Sequence, residues 1–134
     1  MKQVLTSGLS TILLLAGLSA TTQAQETGPN IVGKYSTVIV LDGLPQPIFF
    51  DIKSLRPGDK EALLTNYSPQ RNCSARSSYG GFVGGSHFFY VVEHGCGHIG
   101  RQSHFKLSVN SNGELLYELV NEKGVIETGL LKKG

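Results

Sequence analysis

Side chains able to do chemistry concentrate in one stretch, EHGCGHIGRQSH (residues 93–104), which holds three of the four histidines and one of the two cysteines. Imidazole, thiolate and carboxylate are donors for zinc or copper. His94 and His98 stand four apart, the spacing that puts two imidazoles on one helical face. Gly95, Gly97 and Gly100 argue against a helix there, because each costs about 1 kcal/mol relative to alanine. On an extended strand the two histidines would stand about 13 Å apart at ~3.3 Å per residue, too far to share an ion. Only a tight loop would unite them. The expectation is therefore no metal and no cofactor. The alternative is a loop site using His94, His98 and His104, with His87 or Glu93 in support.

A catalytic reading requires a nucleophile, a base and an orienting acid. Cys96 beside His94 and His98 would form a thiol–imidazole pair, and Ser86-His87 or Ser103-His104 with Asp51 would sketch a serine triad. Neighbours on a strand point to opposite faces, so neither Ser–His dipeptide suits triad geometry. No GxSxG or HExxH motif occurs, and the paired glycines at 80–81 and 84–85 lack the GK[ST] of a phosphate cradle. The chain is expected not to be an enzyme.

The compartment bears on Cys96. Met1-Lys2, the apolar run LSTILLLAGLSA (residues 9–20) and the small residues Thr22 and Ala24 have the layout of a cleaved secretory signal. The apolar run is too short for a permanent span, and Leu18 stands where a lipid-bearing cysteine would be needed. Cleavage after Ala24 is expected, with residues 25–30 as a flexible lead-in and 31–134 as a single domain. The mature chain would be exported, periplasmic or extracellular, with no membrane contact. In that oxidising setting two cysteines most simply form one disulfide, Cys73–Cys96. Mature basic and acidic residues nearly balance at eleven to ten and do not cluster beyond Lys132-Lys133, which argues against a nucleic-acid partner. Asn66-Tyr67-Ser68 and Asn72-Cys73-Ser74 match the N-glycosylation pattern, relevant only in a eukaryotic source.

Stepwise alternation of apolar residues predicts the elements that carry these groups. In IVGKYSTVIVL, residues 31, 33, 35, 37, 39 and 41 share one face. DGLPQP (residues 42–47) reads as a turn, because proline is excluded from central strands. IFFDIKSL, a turn at RPGD, KEALLTNY (residues 60–67), read as a third strand over the alternative of a short helix, and the strong strand SHFFYVVEH follow; the last is apolar on both faces, as a central strand would be. A terminal meander carries turn signals at Asn112-Gly113 and Lys123-Gly124. No helical period persists. Seven to eight short strands predict a small all-β, antiparallel, up-and-down barrel or a sandwich. The opening Gly33-Lys34-Tyr35 resembles the G-x-W signature of calycins such as lipocalins and avidins, with tyrosine in place of tryptophan. The likeness covers three residues, and no site residue is carried over from it.

The five aromatics of YGGFVGGSHFFY (residues 79–90) lie among glycines, and tyrosines on flexible loops make good contact residues. The functional expectation is an exported binding protein, inhibitor- or immunity-like in scale. It would meet a protein partner through a glycine-rich loop bearing Tyr79, Phe82, Ser78 and Arg76. The alternative is a small-ligand or metal carrier that uses the barrel interior or the His94/His98 loop.

Overall fold

Strand after strand, every second side chain turns into an apolar interior until the sheet meets itself. The computed structural model describes residues 27–68 and 72–134; the expected signal at 1–24 lies outside the described residues. Eight strands follow in order: β1 (Gly33–Leu41), β2 (Leu44–Ile52), β3 (Leu63–Tyr67), β4 (Cys73–Val83), β5 (Ser86–His94), β6 (His104–Val109), β7 (Leu115–Asn121) and β8 (Gly124–Lys133). Each pairs antiparallel with its sequence neighbours, and β8 returns to β1, closing an up-and-down barrel. Of the two architectures expected from the sequence, barrel and sandwich, the barrel is the one formed. The Gly33-Lys34-Tyr35 stretch opens β1, and the Tyr35 hydroxyl donates to the Ile31 carbonyl at 2.9 Å.

Turn chemistry sets two of the registers. Asp42-Gly43 and Gly84-Gly85 are two-residue hairpin turns between the pairs Leu41↔Leu44 and Val83↔Ser86. All four residues have positive φ, the condition that matches a two-residue turn to the sheet's twist. At the last hairpin the turn residues are Glu122-Lys123, and Gly124 already pairs with Asn121.

Three expectations are corrected. DGLPQP is not all turn: Pro45 and Pro47 lie inside β2, opposite Val40 and Val38. The Ser68 N–H donates to the Pro47 carbonyl at 3.4 Å, so the polar edge of Pro47 faces away from β1. The missing proline N–H therefore costs no β1–β2 bond. The glycine-rich SSYGGFVGG segment is not a loop either. Most of it is strand β4, with register shifts between Arg76 and Ser77 and between Tyr79 and Gly81, and only Gly84-Gly85 turns. Finally, β5 is apolar on both faces without being sheathed on both. Its outward Tyr90 and Val92 are about half exposed, since a closed barrel has one interior and no central strand.

The interior is solid. Phe50 meets Phe105 edge-on at 5.6 Å and Tyr117 at 4.7 Å, and Ile48, Ile52, Leu63, Phe89, Leu107 and Leu119 fill the space around them. The end where β1 begins (the near end) is covered by Thr27–Val32. The opposite, far end is covered by the β5–β6 connection, which buries Cys96 and Ile99. The Cys73–Cys96 disulfide ties that connection to the start of β4, across a Cα–Cα distance of 5.2 Å. Closing a loop of this length stabilises a domain by roughly 3 kcal/mol in the chain-entropy model.

Candidate functional site

Strand periodicity places a carboxylate where few are found. On β8, Glu127 falls in step with Gly129 and Leu131, which sit opposite Tyr117 and Leu115 on the inward face. Its side chain is only 6 % exposed. The Tyr67 and Tyr117 hydroxyls both donate to Oε2, at 2.7 and 3.0 Å. His98 Nε2 stands 3.5 Å from Oε1, at the outer limit of a hydrogen bond, and the His98 ring meets Tyr67 edge-on at 4.6 Å. Burial by itself pushes the Glu127 carboxyl upward. Contacts from His98, Tyr67 and Tyr117 outweigh that effect and hold it below the ordinary carboxylate range. Glu127 is not among the residues that motif and spacing single out; its signal in the sequence is an acid in the inward phase of an apolar strand.

The histidine stretch is divided by the fold. His98 turns inward toward Glu127 and the disulfide. His94 is exposed, and its Nδ1 accepts the Cys96 N–H at 3.2 Å. His104 lies on the outer face of β6, stacked on Phe88 and tilted against Tyr90 at 5.6 and 5.7 Å. Among the described residues, the group whose ligand atoms converge is Cys73, Cys96 and His98, not the His94/His98/His104 set. The two sulfurs in that group are bonded to each other.

At the near end, Tyr79 is 6 % exposed and belongs to the core, which corrects the expectation of an exposed contact residue. His87 Nε2 contacts the Pro29 carbonyl at 2.9 Å. A carbonyl only accepts, so Nε2 carries the proton and Nδ1 accepts the Tyr79 hydroxyl at 2.7 Å. Burial depresses the His87 pKa, partly offset by the Pro29 bond, consistent with a neutral ring. Phe82 packs on His87 at 4.7 Å and covers Gly28 so closely that a side chain there would collide with its ring. Phe82 is thus a clamp on the lead-in rather than a free aromatic. Of the other expected contact residues, Ser78 pairs opposite Tyr90, and Arg76 lies between Glu93 at 2.5 Å and Glu61 at 3.1 Å.

The sketched triads do not assemble. Both His87 nitrogens are engaged as described, and Ser103 Oγ donates to the Ile99 carbonyl at 2.5 Å, closing a turn. Asp51 lies on β2 beside Lys34 of β1.

The outer surface offers a different feature. Neighbouring strands elsewhere in the barrel pair over four to nine positions, as β6 does on β5 and β2 on β1. The β1–β8 ladder has two, Tyr35↔Lys133 and Ser36↔Lys132. Toward the far end the two strands part, leaving a cleft lined by Ile39, Val40, Leu41, Val125, Ile126, Glu127 and Thr128. Val40 is 71 % exposed, and Val38 and Val125 are more than half exposed.

Set against known proteins, no family model, no curated protein and no solved structure matches the chain.

Proposed function

We propose that this is an exported, non-enzymatic binding module that meets a protein partner at the cleft where β1 and β8 part. The observation that carries this reading is the pairing of exposed Val38, Val40, Val125 and Ile126 with a β1 edge whose ladder to β8 stops at Ser36. An open strand edge flanked by apolar side chains suits an added strand from another protein. Main-chain bonds would supply affinity and alternate side chains specificity. The aromatic filling of the interior supports a surface role over that of a small-ligand carrier. The buried disulfide is compatible with an oxidising, exported compartment.

The test is affinity capture from the exported fraction of the native host with the mature chain, its Val40→Asp/Val125→Asp double variant and a Tyr90→Ala control. The expected result is one partner retained by the wild type and the control. The double variant should lose tenfold or more in affinity, since a contact worth about 2 kcal/mol or more is removed. Equal retention by the double variant, with loss on Tyr90→Ala, would move the interface to β5.

A further inference from the structure

The cluster at the far end holds more ligand chemistry than a disulfide uses. Cys73 opens β4, and Cys96 and His98 lie in the β5–β6 connection. Their Sγ atoms and a ring nitrogen all fall within 4.8 Å of one another. The His98 ring also has the Glu127 carboxylate 3.5 Å from Nε2, and that carboxylate is held in turn by the Tyr67 and Tyr117 hydroxyls. A carboxylate set beside an imidazole by further hydrogen bonds is a recurrent support for a metal-bound histidine. Cys96 is almost wholly buried and the His98 side chain is 19 % exposed, so water competes weakly for an ion placed there.

We infer that, with the Cys73–Cys96 bond reduced, this cluster binds one thiophilic cation of the zinc class through both thiolates and the His98 imidazole, so that disulfide and metal exclude each other. Tetrahedral zinc with Zn–S near 2.3 Å holds two sulfurs about 3.8 Å apart. Cysteines whose Cα atoms are 5.2 Å apart can reach that spacing by side-chain rotation, without moving β4 or the connection. Two thiolates and an imidazole favour zinc over magnesium or calcium. The electron balance is closed by an external dithiol. It gives two electrons to the Cys73–Cys96 bond and becomes a disulfide itself, leaving two thiols in the protein. The metal then displaces one proton from each thiol to solvent. An external disulfide that takes two electrons from the thiolates, and is itself reduced to a dithiol, restores the Cys73–Cys96 bond and releases the ion.

The experiment compares the mature chain, oxidised and reduced without oxygen, with His98→Ala, His104→Ala and Cys73→Ser/Cys96→Ser. Cobalt(II) reports thiolate charge-transfer and tetrahedral bands; zinc affinity is read by competition with a chromophoric chelator, and folding by near-ultraviolet circular dichroism. Expected is one ion per reduced chain, with thiolate bands, and none in the oxidised chain. Binding should weaken at least tenfold in His98→Ala, because even supporting residues commonly cost 10–100-fold in metal affinity, and stay unchanged in His104→Ala, whose ring packs on Phe88 and Tyr90 outside the barrel. If the reduced chain loses its fold, zinc should restore it in the wild type and not in the double serine variant. Binding indifferent to His98, binding as tight in the double serine variant, or a reduced chain that zinc fails to refold would each overturn the inference.

Discussion

Glu127 keeps a charge in a place where charge is expensive, and His98 with two tyrosine hydroxyls makes this tolerable. Glu127→Gln should destabilise the barrel by about 1–3 kcal/mol, read as a lower urea midpoint at neutral pH. The pH dependence has a definite sign. A carboxyl whose folded pKa is depressed contributes stability that is complete above its unfolded value of about 4.3 and is lost as pH falls through the folded value. The gap between wild type and Glu127→Gln should therefore be full at neutral pH and close in acid. His87 is the mirror case at the near end. Its folded pKa is lowered by burial, so the unfolded chain takes up the proton first as pH drops below about 6.5. Stability should fall between that pH and the lower folded value, and His87→Gln should flatten this slope in unfolding measured from pH 7 to 5.

Among the strands, the β7–β8 pair shows how a small residue makes room for a large one. Tyr117 lies directly across from Gly129, and a methyl group built on Gly129 would come within 2.8 Å of the Tyr117 ring. That ring is fully buried and anchored to Glu127, so it cannot give way. Gly129→Ala should cost about 1–3 kcal/mol as overpacking, a melting temperature lower by roughly 4–8 °C per kcal/mol. Gly80→Ala also meets a ring, that of Tyr90, but Tyr90 is half exposed and can swing outward. Thermal unfolding of the two variants should therefore rank Gly129→Ala as the more damaging.

For the whole molecule, both barrel ends are closed by segments outside the sheet, one held by a disulfide and the other by a histidine. Within the lead-in the Pro29 carbonyl accepts from His87 and Gly28 lies against the Phe82 ring; at the first residue of the domain, Ile31 is 3 % exposed. A chain beginning at Val32 should lose the burial of one isoleucine, about 1.5–3 kcal/mol, and three hydrogen bonds, from His87 to the Pro29 carbonyl, from Tyr35 to the Ile31 carbonyl and from the Val32 N–H to Asn30, the two part-buried ones worth about 1 kcal/mol each. A chain beginning at Thr27 should match the mature protein in urea unfolding. Closure of the sheet also explains why the β5 pattern misled. Apolar residues on both faces imply cover on both only in an open sheet, and here the outer ones remain exposed.

Local patterns were enough for the all-β class, for most of the strands and for the disulfide, because alternation, turn glycines and cysteine count are properties of neighbouring residues and of compartment. Pro45 and Pro47 defeated that reading, since proline's missing N–H matters only on the side where a strand bonds, and the side depends on the neighbour. Tyr79 and Phe82 looked like free aromatics until the lead-in was laid across them. Spacing in the histidine stretch left only a tight loop to unite His94, His98 and His104, and the fold separates them. His98 belongs with Glu127, 29 residues away in sequence, and only barrel closure brings β8 beside the β5–β6 connection. Pairings over that distance are set by which strand ends meet when the sheet closes, and spacing along the chain does not encode them.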